Sequence, residues 1–118
     1  MQNFIVNAIE KTYRLEAKAY LPNRVEELAK TYGLSYKKVK INNAKTRWGS
    51  CSSENNINLS LQLMRLPEYL IDYVILHELA HTKVKNHSIH FWDFLDSITD
   101  SKAKNLDKEL KSFYLQVF

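Results

Sequence analysis

The segment from residue 67 to residue 81 most constrains what this chain can fold into. Its apolar residues recur over much of the circumference of a helix, which predicts a buried rather than a surface helix. A proline followed by a glutamate opens it, the order expected at a helix start. Yet this apolar helix also carries His77, Glu78 and His81. A protein interior accepts such side chains only when they have partners.

The spacing of these three residues indicates what the partner is. Positions i and i+4 of a helix lie nearly above one another, so His77 and His81 can bind one ion from the same face. Glu78 lies on the flank of that face, within reach of a metal-bound water without being a ligand. The alternative is a pair of hydrogen-bonded core histidines beside an ion-paired glutamate.

A catalytic zinc usually takes three protein ligands and leaves one position for water. His87 follows six residues after His81, just past the expected helix end, and Asn86 tolerates the left-handed turn that would bring it back. His90 is the rival third ligand. A carboxylate could serve instead, from Asp93 or Asp96.

Metzincins share the six-residue offset between their second and third histidines. They place a glycine midway, where this chain has Val84, and no methionine follows here to make their Met-turn. The offset therefore does not assign the chain to that class.

The remaining periodicity predicts an α+β layout of helices, a small antiparallel sheet and further helices. Pro22 is expected to open a second helix and Gly33 to end it. The predicted helices span 3–19, 22–32, 67–81, 89–98 and 103–117, and the predicted strands span 38–42, 46–51 and 57–63.

Composition excludes several functional classes. The chain has 118 residues, 45% of them hydrophobic, which suits one globular domain over 1–118. No secretion signal or membrane-spanning run is present, and the lone Cys51 excludes an internal disulfide, so a cytoplasmic location is expected. Residues 1–50 hold ten basic and four acidic side chains. This half could attract nucleic acid or a nucleotide, although a solvated surface explains it too.

Two further residues are candidate substrate contacts. Arg47 could bind a carboxylate or a phosphate, or else form a surface ion pair. Asn58 lies on the polar face of the predicted third strand, which could pair with an extended peptide by strand addition. The neighbouring Trp48 is expected in the core, and Cys51 is expected to be a buried small side chain.

Several pieces of the chain also match a known family in order and spacing. They are residues 47–52 (Arg-Trp-Gly-Ser-Cys-Ser), 57–59 (Ile-Asn-Leu), Pro67, 73–74 (Tyr-Val), 77–81, 86–88 (Asn-His-Ser) and 91–92 (Phe-Trp). On these pieces the chain resembles the YgjP-like zinc metallopeptidases, relatives of the SprT-like and WLM domains. Members of that family are commonly longer at the N-terminus, consistent with residues 1–118 corresponding to the C-terminal part of a longer architecture.

The resemblance implies a zincin-like fold, zinc ligands at His77, His81 and His87, and Glu78 as general base. Zinc held by three imidazoles would lower the pKa of its water to about 7, and Glu78 would take the proton. The expected function is therefore a zinc-dependent hydrolase, most simply a peptidase acting on peptides or proteins. The alternatives are a metal-dependent phosphohydrolase acting on nucleotides and a zinc-stabilised binding module without catalysis.

Overall fold

The computed structural model describes the backbone of residues 2–117 and the side chains of residues 8–113. A long first helix precedes a three-stranded sheet, and three more helices follow. In chain order the elements are α1 (Gln2–Tyr32), β1 (Lys38–Asn42), β2 (Gly49–Cys51), β3 (Asn56–Ser60), a 3₁₀ helix (Leu61–Arg65), α2 (Glu68–Ala80), α3 (Ile89–Ser97) and α4 (Ala103–Val117). The α+β class predicted from the sequence is confirmed, and so are the last three helices.

The predicted break at Pro22 is wrong, because α1 continues through it. A proline inside a helix removes one hydrogen bond and costs about 3 kcal/mol. Leu21 and Val25, on either side of it, are fully buried. Each contributes roughly 1.5–3 kcal/mol by leaving water, so their burial offsets the cost. Gly33 ends the helix as predicted, with φ of 67°.

The sheet is mixed rather than antiparallel throughout. β3 lies in the middle, parallel to β1 and antiparallel to β2. The predicted third strand also stops earlier than expected. Ser60 Oγ accepts a hydrogen bond from the amide of Gln62, and this cap starts the 3₁₀ helix. Leu61 and Leu63 are therefore buried side chains of a helical turn and not of a strand.

Helix α2 runs through the core with most of its side chains buried. Arg24 of α1 holds Asp72 of α2 by two hydrogen bonds of 2.8 Å, from Nε and from a terminal guanidinium nitrogen. The carboxylate raises the pKa of Arg24 further, so the pair stays charged. This contact fixes α1 against the helix that carries the site.

Helices α3 and α4 close the other side of α2. Asp96 Oδ1 accepts a hydrogen bond of 3.1 Å from the amide of Ala103, which joins the end of α3 to the start of α4. None of the helices in residues 2–117 combines the length and hydropathy that a membrane crossing requires.

Candidate metal centre and active site

Three histidines predicted from the sequence converge at the end of α2. Ligand nitrogens of His77, His81 and His87 all lie within 4.8 Å of one another. Nε2 of His81 is 3.2 Å from Nε2 of His87. His77 and His81 come from the helix and its C-terminal cap, whereas His87 comes from the loop that follows. The loop therefore turns back toward the helix, as its sequence suggested, but the left-handed turn expected at Asn86 is not formed.

The ring of His81 is fixed on two sides. Its Nδ1 lies 3.0 Å from the carbonyl oxygen of Val84, which accepts the Nδ1–H hydrogen bond and leaves Nε2 free toward the other histidines. Phe91 of α3 stacks on the ring, with centroids 4.3 Å apart and planes 20° apart. Burial lowers the pKa of His81. The neutral imidazole, the form that binds metal, is therefore favoured.

Glu78 is buried beside the cluster and faces strand β2. Its Oε2 lies 3.3 Å from Nδ1 of His77. Gly49 leaves just enough room for it, because a Cβ at position 49 would lie 3.2 Å from Cγ of Glu78. The glutamate is thus packed between the histidines and the sheet, in reach of a ligand at the cluster.

The structure does not bring the rival ligands into this cluster. His90 and Asp93 are exposed on α3, and Asp96 caps α4 as described above. Asn58 also lies apart from it. Strand side chains alternate between faces, and Asn58 pairs with Ser50 whereas Leu59 pairs with Gly49. Asn58 therefore lies on the face of the sheet opposite the one that Glu78 contacts.

A pocket of about 240 Å³ opens directly beside His77 and Glu78. Its walls come from the loop before β2, from α2 and from α4, and they include Arg47, Trp48 and Leu110. Trp48 is buried, as the sequence predicts, and Arg47 is exposed. The structure thus places Arg47 next to the candidate catalytic residues.

One wall of the pocket is held by a part-buried hydrogen bond. The hydroxyl of Tyr73, which is 1% exposed, donates to Oδ1 of Asp107 over 2.9 Å. Burial and the carboxylate both raise the pKa of Tyr73, so it stays protonated and keeps donating. Lys111 also contacts Asp107, 3.3 Å from Oδ2. The Tyr73–Asp107 hydrogen bond joins α4 to α2 one turn before His77, and the Lys111–Asp107 ion pair lies within α4.

Sequence reasoning assigned no site role to Tyr73, Phe91 or Asp107. The helical spacing gave a signal for Tyr73, which lies four residues before His77 and therefore on the same face. The sequence gives no comparable signal for the Val84 carbonyl, because every residue has a backbone oxygen. It gives none for Asp107 either, because the pattern of α4 indicates only an amphipathic helix.

The donor set fits a metal ion. Two nitrogens bound to one tetrahedral zinc at 2.0–2.1 Å are about 3.3 Å apart, close to the separation of the His81 and His87 nitrogens given above. Two imidazoles alone could share a proton at that distance. A proton shared between two imidazoles does not explain why a third imidazole lies within reach, whereas a metal ion does.

A helix with two histidines and an intervening glutamate, packed under a small sheet and completed by a third histidine, defines a zincin-like metallopeptidase. The YgjP-like metallopeptidase domain model matches residues 1–113, and the chain belongs to that family. No curated protein sequence matches the chain.

Two solved structures are similar to it. The metallopeptidase zymogen abylysin of Pyrococcus abyssi superposes with a TM-score of 0.66 at 24% identity, over 76% of this chain and 90% of that one. The metallopeptidase zymogen jannalysin of Methanocaldococcus jannaschii gives 0.62 at 27% identity, over 80% and 92%. The first likeness supports the fold alone.

Proposed function

We propose that this metallopeptidase is a zinc-dependent endoprotease or exopeptidase in which His77, His81 and His87 hold the metal and Glu78 is the general base. The observation that carries the proposal is the convergence of three imidazoles, two of them with nitrogens 3.2 Å apart. Neutral imidazoles in a tetrahedral set suit zinc among the common divalent ions. The buried Glu78 beside them has no function in a purely structural metal site.

When bound, the metal supplies a Lewis acid for the attacking water and for the scissile carbonyl. Glu78 takes the proton of that water and passes it to the departing amine. Its position supports this role, because it is buried next to His77 and held there by the packing around Gly49. The Val84 carbonyl keeps His81 in the tautomer that leaves Nε2 free.

A peptide substrate is supported by the pocket and by the free edge of the sheet. The pocket wall includes Trp48, Val74 and Leu110, which suits an apolar side chain. Within residues 2–117, β2 has no strand on its outer side, whereas β3 is paired on both sides. β1 is the other edge strand, but β2 is the edge that borders Glu78 through Gly49, so we assign strand addition to β2 and not, as the sequence suggested, to β3.

Arg47 lines this pocket and is exposed, which supports the proposal that it contacts a substrate carboxylate. The basic half of the chain gives less support to a nucleic-acid partner. Several of its cations contact acids, as in the pairs Arg24–Asp72, Lys30–Glu26, Lys37–Glu54 and Lys45–Glu10. The pairing favours an ordinary solvated surface.

The proposal is tested by metal content and turnover measured on the same preparations. The purified chain should contain one zinc by elemental analysis and should cleave an unfolded protein labelled with a quenched fluorophore. Glu78→Gln should retain the zinc and lose turnover by at least a hundredfold, as expected for a general base. Full turnover in that variant would exclude Glu78 as the base.

The third ligand has a matched control in the chain. His87→Ala should lose stoichiometric zinc, whereas His90→Ala, three residues away and exposed, should keep it. Equal zinc in both variants would remove His87 from the ligand set. Nucleotides tested beside the peptides separate the remaining functions, since cleavage of nucleotides alone would indicate a phosphohydrolase and zinc without turnover a binding module.

A further inference from the structure

The loop that carries His87 is exposed over most of its length. Residues 82–84 continue the last turn of α2 through hydrogen bonds to carbonyls of Leu79 and Ala80. Beyond them, Lys85, Asn86 and His87 are all exposed. A ligand on such a segment is better fixed when something outside the helix holds the loop, because ordering free residues costs conformational entropy.

Lys85 makes that connection. Its Nζ donates to the carbonyl oxygen of Ser52 over 3.0 Å and to Oδ1 of Asn55. Its Nζ also lies 4.0 Å from Sγ of Cys51. Among the described side chains, all long-range hydrogen bonds of residues 82–88 therefore come from Lys85. Ser52 and Asn55 lie in the turn between β2 and β3, the hairpin that borders Glu78 through Gly49.

The hairpin turn is itself rigid enough to act as an anchor. Ser52 Oγ accepts from the amides of Glu54 and Asn56, and the amide of Asn55 donates to the Ser52 carbonyl. Asn55 has φ of 67°, a left-handed conformation that asparagine tolerates better than most residues. Its backbone oxygen accepts from Lys37, which leaves the side-chain oxygen for Lys85.

We infer that Lys85 is a positioning residue for the metal site: by binding Ser52 and Asn55 it fixes the loop that presents His87. This inference rests on the proposed role of His87 as a ligand. It gives Asn55 a function beyond turn formation, because the left-handed residue also offers the acceptor. The hairpin and the ligand loop then form one unit around the cluster.

The direction of the change in zinc affinity distinguishes a positioning role of Lys85 from a purely electrostatic one. Lys85 is a cation near a site for a cation, so removing its charge should by Coulomb's law tighten zinc binding. The positioning role predicts the opposite. Lys85→Met should raise the zinc dissociation constant about tenfold, the lower end of the loss seen when groups that orient a metal ligand are removed.

The chain offers matched controls. Lys83→Met removes the same charge from the same loop, and the Lys83 side chain makes no hydrogen bond or ion pair to the described residues, so zinc binding should be unchanged or tighter. Lys85→Arg keeps donors and should restore most of the affinity. Asn55→Gly keeps the left-handed conformation and removes the acceptor, so it should weaken zinc binding like Lys85→Met, and the double variant should add little.

Zinc affinity is measured by competition with a chromogenic chelator, and urea unfolding is measured on the metal-free proteins. The inference requires weaker zinc binding in Lys85→Met with an unchanged unfolding midpoint. Affinity equal to or tighter than that of the unmodified chain would overturn it. A loss of affinity matched by Lys83→Met, or by lower metal-free stability, would also overturn it. If the unmodified chain binds no zinc, the proposed function is wrong. If zinc binding depends on His87 but not on Lys85, the proposed function stands and only the role of Lys85 is wrong.

Discussion

Replacement of Gly49 by alanine is the most direct test of how the sheet positions Glu78. A Cβ at this residue would lie 3.0 Å from the backbone oxygen of Asn58, 3.1 Å from Cδ2 of Leu59 and 3.2 Å from Cγ of Glu78. All three distances are shorter than ordinary van der Waals contact. The backbone oxygen belongs to the central strand and the leucine is fully buried, so neither yields easily.

Of the three neighbours, the Glu78 side chain is the one that we expect to move most easily. Overpacking of this kind costs about 1–3 kcal/mol of unfolding free energy. A shift of a few tenths of an ångström in the glutamate would also misplace its carboxylate, and misplacement of a catalytic group lowers turnover steeply. We expect Gly49→Ala to lose at least tenfold in kcat while it retains zinc, because His77, His81 and His87 are not displaced.

Gly33→Ala is the control for the loss of a glycine. Gly33 has φ of 67° and nothing within 4 Å of an added Cβ, so its substitution adds backbone strain without a clash. It should cost about 1 kcal/mol of stability and leave turnover unchanged. Urea unfolding, zinc content and peptide cleavage are measured on both variants. Unchanged kcat in Gly49→Ala would refute the argument that this glycine makes room for Glu78.

Three further substitutions test the packing around the site. Arg24→Met should lower the unfolding free energy by about 2 kcal/mol, since it leaves a half-buried carboxylate without its two charge-assisted hydrogen bonds, and urea unfolding checks this. Phe91→Leu should cost about 1.5 kcal/mol and weaken zinc binding, because the ring that stacks on His81 is lost; chelator competition measures the second effect. Tyr73→Phe should cost about 1.5 kcal/mol and speed amide hydrogen exchange in α4, whereas unchanged exchange would show that its hydrogen bond does not hold that helix.

The sequence predicted those elements whose signals are local. Helix α2 and the pairing of His77 with His81 follow from a period of 3.6 residues, and Gly33 marks a helix end by its own backbone freedom. The prediction of a break at Pro22 was wrong because the free-energy cost of a proline inside a helix is real but small. The free energy from burying its neighbours in the core decides the outcome, and no local pattern reports that burial.

The sheet shows the same limit more clearly. Alternation identifies a strand but does not give its direction relative to its partner. β1 pairs with β3 in parallel, and β2 lies on the far side of β3. Leu61 and Leu63 continued the alternation of β3, so the sequence alone favoured a longer strand. The hydroxyl of Ser60 ends the strand by capping a turn, a choice that depends on one hydrogen bond.

The candidate site likewise combines residues that a local pattern predicts with residues that depend on the rest of the fold, and this difference has a functional consequence. His77 and His81 are carried by one helix and its C-terminal cap, and the ring of His81 is also held by the Val84 carbonyl and by Phe91 of α3. The third histidine depends on the loop and on the hairpin that binds Lys85. A metal ion bound by all three would therefore join the helix, the loop and the edge of the sheet, so that metal binding and the local order of the loop should stabilise each other.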